Sequence, residues 1–124
     1  MRQIKITAGP VEAIADLDDS PTADAIWEAL PIKGQANTWG DEIYFDLPVF
    51  LDPSAGAREV VAVGELGYWP PGHAFCIFFG RTPASRGDEP RAASAVNVFG
   101  RVAGDATIFR QVRDGAAVFI ERME

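Results

Sequence analysis

The chain has 124 residues, of which 48% are hydrophobic and 23% are charged, and this composition is typical of one ordinary globular domain. Its formal net charge is −7, and an acidic chain without a basic stripe repels phosphate backbones, which argues against nucleic-acid binding. Residues 1–17 contain no apolar core of signal-peptide length, and no apolar run approaches the roughly 20 residues that cross a bilayer. We therefore expect a cytoplasmic protein that does not bind membranes.

The first helix pattern follows two strand patterns near the N-terminus. Ser20 is a typical N-cap, and Pro21 suits the first helical position. An N–H at that position would have no hydrogen-bond partner within the helix, so its absence in proline costs nothing. An apolar stripe with helical spacing continues to Leu30, and Pro31 stops it. The pattern predicts a helix over about 21–30 whose Trp27 packs into the core.

Most of the remaining chain alternates between polar and apolar residues or carries short apolar runs, as strands do. The run AFCIFF is apolar on both faces, which predicts a strand covered on both sides. The stiff segment YWPPGH leads into it. The predicted strands are 2–8, 11–17, 42–49, 59–63, 66–69, 74–79, 95–102 and 116–122.

Two further segments complete the pattern. Residues 81–94 have the Pro, Gly, Ser and charge content of a long exposed loop, and loops of this length are often functional. Residues 105–113 predict a second short helix that Gly115 ends. Since strands dominate and do not alternate with helices, we expect a mainly β fold: a closed eight-stranded antiparallel barrel, capped by the two helices, in a single domain over 1–124.

Three segments carry a family resemblance. VNVFGRVAGDATIFRQVRDG (96–115) is similar to the C-terminal part of cyclophilins, SPTADAIWEAL (20–30) resembles their first helix, and GHAFCIFFGRT (72–82) lies where they have a Gly-Ser-Gln-Phe-Phe-Ile strand. Their order also matches. The whole chain looks closest to a group of small prokaryotic proteins with a cyclophilin-like fold and no established activity, which implies an eight-stranded barrel closed by two helices.

The resemblance weakens at the residues that catalyse prolyl isomerisation in cyclophilins. Phe45 stands where the catalytic arginine is expected, and Phe75 and Cys76 occupy the places of a Phe-Phe pair. Residues 81–94 contain neither the tryptophan nor the histidine that line the cyclophilin pocket. Lowering the isomerisation barrier of about 18–20 kcal/mol needs a donor that stabilises the twisted amide. Arg81 or Arg91 are the candidates for that role.

The segment YWPPGH and the Trp39 turn are the best candidates for a ligand cleft, because prolines stiffen its wall and aromatic rings stack on ligands. A rigid turn with Trp69 packed beneath it is the alternative. The predicted ligand-cleft residues are Trp39, Tyr44, Tyr68, Trp69, His73, Phe75 and Cys76.

We expect a non-catalytic barrel that binds a peptide or a small molecule, and a divergent peptidyl-prolyl isomerase is the alternative. A small hydrolase or lyase acting through His73, the chain's single histidine, is a third hypothesis. A lone histidine and a lone, apolar-flanked Cys76 predict no metal site and no cofactor. The chain is compatible with a monomer or a homodimer.

Overall fold

The computed structural model describes residues 2–123, which form a mainly β structure with one α-helix. The α-helix, α1, spans Pro21–Ala29, and the Ser20 hydroxyl accepts a hydrogen bond from the Ala23 N–H at 3.1 Å, as predicted for the N-cap. The strands are β1 Gln3–Ala8, β2 Val11–Leu17, β3 Ile32–Gln35, β4 Asn37–Thr38, β5 Glu42–Asp46, β6 Arg58–Val60, β7 Glu65–Trp69, β8 Ala74–Phe78, β9 Arg91–Val102 and β10 Ala117–Met123.

The predicted closed eight-stranded barrel is wrong. Residues 2–123 form one antiparallel sheet of ten strands in the order β3-β10-β1-β2-β9-β7-β8-β5-β4, with β6 paired to β9, and no ladder joins the two end strands. Those end strands, β3 and β4, follow each other along the chain with Ala36 between them. Because they lie end to end, β3 pairs with β10 and β4 pairs with β5, and they do not pair with each other.

The second predicted helix and the long loop also differ from the expectation. The segment predicted as a helix over 105–113 forms a 3-10 helix over Ala106–Gln111, with Asp105 as its N-cap. The region predicted as a loop over 81–94 ends early, because β9 already begins at Arg91. A single 3-10 turn, Pro70–Gly72, connects β7 to β8. No helix within residues 2–123 is long and apolar enough to span a bilayer.

The sheet buries both of its faces in the region of β8, as the apolar run AFCIFF predicts. All five residues of β8 are buried. Phe75 and Ile77 belong to the large core, whereas Ala74, Cys76 and Phe78 belong to a second, smaller apolar cluster on the opposite face, together with Val61, Ala92 and Val96. The main core covers one face of β8 and the second cluster covers the other. This explains why the strand is apolar throughout, without a position inside a barrel.

The second cluster depends on a change of partner along β9. The C-terminal half of β9 pairs with β7, up to the pair Tyr68 and Asn97. The N-terminal half, from Arg91 to Val96, pairs with β6 instead. The residues of β9 that precede Asn97 therefore do not pair with β7. A space opens there between the end of β7 and the first residues of β9.

Candidate functional site

A cavity of about 210 Å³ lies in the space where β9 separates from β7. Its walls come from the turn before β5, from β5 itself, from the end of β7 and from the first half of β9. The residues that line this space, which we call the Trp39–Trp69 cavity, are Trp39, Glu42, Tyr44, Trp69, Ala92, Ala93 and Val96. Three aromatic side chains and one carboxyl group thus share a single cavity.

The Trp69 wall is fixed on two sides. The indole N–H donates a hydrogen bond to the Ser94 hydroxyl at 2.7 Å, which ties the end of β7 to β9. The ring also lies close against Gly72, where a Cβ atom would stand 2.7 Å from two of its carbons. Since no side chain fits at that distance, glycine in the Trp-Pro-Pro-Gly turn is what allows the indole to lie over the turn.

The opposite wall begins at the Trp39 turn. The Trp39 N–H donates to the Glu42 carbonyl at 2.9 Å, and Gly40 between them adopts a φ of 61°, which favours glycine. A Cβ at Gly40 would also lie 2.8 Å from the Arg81 carbonyl oxygen. The turn places Trp39 beside β5, where Glu42 and Tyr44 point to the same face because they are two residues apart.

Glu42 is the unusual member of this group. It is 5% exposed, and it is the one charged residue among the fully buried residues of 2–123. Desolvation raises the pKa of its carboxyl group from 4.5 to about 7, and the neighbouring Cys76 thiol lowers it only in part. None of the ion pairs within residues 2–123 involves Glu42.

Cys76 lies behind the cavity as part of the second apolar cluster. It pairs in register with Tyr44 on one side and with Gly67 on the other, and its Sγ is 3.9 Å from the Ala74 carbonyl oxygen. Burial, followed by the neighbouring Glu42, raises the pKa of the thiol well above its ordinary value. Cys76 is therefore a neutral thiol and a poor nucleophile.

The predicted cleft residues divide between the two faces of the sheet. Trp39, Tyr44 and Trp69 line the cavity, and Cys76 lies behind it. Tyr68 and Phe75 point to the other face and are fully buried in the main core. The alternation along β7 and β8 separates neighbouring residues in this way.

Tyr68 has a structural role on that face. Its hydroxyl donates to the Val49 carbonyl at 2.7 Å and accepts from the Leu51 N–H at 3.0 Å. Phe75 stacks on Phe45 with ring centroids 4.9 Å apart. These two predicted cleft residues pack the core and anchor the segment that follows β5.

His73, Arg81 and Arg91 do not line the cavity. His73 ends the 3-10 turn in the left-handed conformation, with Nδ1 3.4 Å from the Tyr68 hydroxyl and its ring against Phe50. The Arg81 side chain is exposed. The Arg91 guanidinium pairs through Nε with Glu89 at 3.1 Å and through Nη1 with Glu59 at 3.6 Å, so two of its three nitrogen atoms already face carboxylates.

Glu42 and the small residues of β9 also line the cavity and were not among the predicted cleft residues. Glu42 could have been predicted from the alternation of strand residues. It lies two residues before Tyr44 and therefore points to the face that was predicted to form the cleft. Ala92 and Ala93 lie in the region predicted as a loop, and nothing in their sequence indicates that β9 pairs there with β6 instead of β7.

Residues 2–123 hold no group of three or more His, Cys, Asp or Glu side chains suited to a metal ion.

Comparison with known proteins agrees with this architecture. The family model described as Cyclophilin-like matches residues 2–121, and the chain belongs to this family. The structure is similar to the solution structure of a hypothetical protein from Archaeoglobus fulgidus, with 41% sequence identity and a TM-score of 0.83, over 98% of this chain and 95% of that one. The comparison with curated proteins returned no match.

Proposed function

We propose that the protein is a non-catalytic binding domain that holds a small molecule, or a side chain of a peptide, in the Trp39–Trp69 cavity. The observation that carries the proposal is the cavity itself: a concave, mostly apolar space with three aromatic walls and a single carboxyl group. Small-molecule sites have this character, with few polar groups that fix the orientation of the ligand. Aromatic walls bind ligands at a low cost in side-chain entropy.

The positions of the arginines weigh against the divergent isomerase. Stabilising the twisted amide of a prolyl bond takes a fixed donor within hydrogen-bond distance of the substrate. The side chains that line the cavity include no arginine or lysine, and the carboxyl group there only accepts hydrogen bonds once it is ionised. His73 lies away from the cavity, so a hydrolase or lyase that uses it as a general base at this site has no geometric support.

Exchange spectroscopy on a set of X-Pro peptides tests the proposal. The indole N–H signals of Trp39 and Trp69 report binding, and Trp27 is an internal control because it does not line the cavity. We expect no acceleration of cis/trans exchange, and we expect any peptide or small molecule that binds to shift the Trp39 and Trp69 signals alone.

A variant that fills the cavity provides the matched control. Ala92 is buried and lines the space, so Ala92→Leu narrows it, and we expect this variant to lose the ligand-induced indole shifts. Accelerated exchange that disappears in Arg81→Ala or Arg91→Ala would contradict the proposal and favour the isomerase. Indole shifts that persist unchanged in Ala92→Leu would place the ligand elsewhere.

A further inference from the structure

The charge balance of the buried acids singles out Glu42. Glu65 is partly buried and pairs with Arg58 at 2.9 Å, and Glu89 pairs with Arg91 at 3.1 Å. Glu42 is more deeply buried than either, yet within residues 2–123 its side chain has no cationic partner. Buried charges in proteins are normally paired, so the ionised form of this carboxyl group, which predominates above its pKa of about 7, lacks the positive partner that a bound cation would supply.

The aromatic rings around Glu42 match the same kind of ligand. Tryptophan and tyrosine faces attract cations, and aromatic cages bind alkylated ammonium groups in this way. The chain shows the preference itself at Trp27, which has the Arg2 and Arg122 guanidinium groups 5.5 and 4.8 Å from its ring centre. Over the Trp39 and Trp69 rings, the described residues place no lysine or arginine.

Resting on the proposed binding function, we propose that the Trp39–Trp69 cavity binds an alkylammonium group of a small molecule. Trp39, Tyr44 and Trp69 surround the cation, and the Glu42 carboxylate neutralises it. The small side chains of Ala92 and Ala93 leave the space that the alkyl groups fill.

The size of the cavity favours a free small molecule over an extended peptide. Its volume of about 210 Å³ lies below the range of about 300–1,000 Å³ that is usual for drug-sized ligands. A space of this size encloses one alkylated ammonium group with a short substituent, whereas an extended peptide would have most of its length outside it.

The protonation state of Glu42 sets the pH at which the cation binds. Its carboxyl group has a pKa of about 7, and only the ionised form neutralises a cation. The titratable groups beside it are Tyr44 on β5 and Cys76 on β8, whose thiol stays neutral because its pKa is raised. From β7 and β9 the cavity receives Trp69, Ala92, Ala93 and Val96, which carry no titratable groups.

A matched pair of ligands tests the proposal: choline, and its neutral isostere 3,3-dimethylbutan-1-ol. Both are titrated at about pH 8 while the indole N–H signals are followed by NMR. We expect choline to shift the Trp39 and Trp69 signals but not the Trp27 signal, and to bind at least about tenfold more tightly than the neutral isostere. Glu42→Gln should bring choline down to the affinity of the isostere.

The unsubstituted protein provides a second test that does not depend on the folding of a variant. At about pH 5.5 a carboxyl group with a pKa of about 7 is ionised in a few per cent of molecules, so choline should bind nearly as weakly as the neutral isostere, about tenfold more weakly than at about pH 8.5. The affinity of the neutral isostere should not change.

Each opposite result has a distinct meaning. Equal affinity for choline and its isostere would overturn the cation proposal but leave the binding function intact, because the cavity would still hold an apolar ligand. If choline shifts neither the Trp39 nor the Trp69 signal, the cation proposal is also overturned. The binding function is then tested separately with the peptides and small molecules described above. Tighter binding of a peptide with trimethyllysine than of choline would overturn the assignment to a free small molecule.

Discussion

Replacing the buried Glu42 with glutamine should make the protein more stable at neutral pH, and the gain should grow with pH. The folded protein raises the pKa of this carboxyl group from 4.5 to about 7, chiefly through desolvation. Between these two values the folded state holds a proton that the unfolded state has lost. The unfolding free energy of the unsubstituted protein therefore falls as the pH rises through this window, and the loss is complete above the folded pKa.

The size of the effect follows from the two pKa values. Each pKa unit is worth about 1.4 kcal/mol, so the difference between 4.5 and about 7 amounts to about 3 kcal/mol. Glutamine has nearly the same shape and cannot ionise, so Glu42→Gln removes this pH dependence.

Urea unfolding of both proteins at about pH 4 and about pH 8 measures the effect. We expect the stability difference between variant and unsubstituted protein to change by about 3 kcal/mol in favour of glutamine between these two pH values. Other carboxyl groups contribute equally to both proteins and cancel. Asp46→Asn is the control, because it removes a carboxylate from an exposed position of the same strand. A stability difference that is the same at both pH values would refute the reasoning.

Two further predictions concern the walls and the core. Tyr68→Phe leaves the Val49 carbonyl and the Leu51 N–H without their hydrogen-bond partner, so we expect the unfolding free energy to fall by about 1–3 kcal/mol. Urea denaturation measures this loss, and ligand binding in the cavity should be retained. A stability within error of the unsubstituted protein would contradict this prediction. Gly72→Ala places a Cβ 2.7 Å from Trp69 ring carbons, so the ring has to move. We expect the near-ultraviolet circular dichroism spectrum and the Trp69 indole NMR signal to change. If both stay unchanged, the Trp69 ring does not pack against the turn.

The local elements were predictable where the chain carries a direct signal. Ser20 and Pro21 define the start of α1, and the apolar run of β8 predicts a strand covered on both faces. That the sheet stays open was not predictable in this way. It depends on β3 and β4, two short and largely polar segments whose pairing is set by β10 and β5 and not by their own pattern.

The candidate site was predictable in part for the same reason. Trp39 and Trp69 were recognisable as aromatic residues beside glycine- and proline-rich turns. Assigning Tyr68 and Phe75 to the same cleft ignored the alternation of strand residues, which sends them into the core. The cavity itself arises from the change of partner along β9, a long-range pairing that no local pattern around Ala92 indicates.

Mapping ligands onto the three tryptophans tests the account most directly. A library of small molecules that includes cationic and neutral aromatic and aliphatic compounds is screened by NMR against the isotope-labelled protein, with the indole N–H signals assigned. The account predicts that the compounds that bind shift the Trp39 and Trp69 signals and leave Trp27 unchanged. Binding that shifts the Phe50 and His73 region instead, or no binding by any compound of the library, would contradict the claim that the Trp39–Trp69 cavity is the functional site.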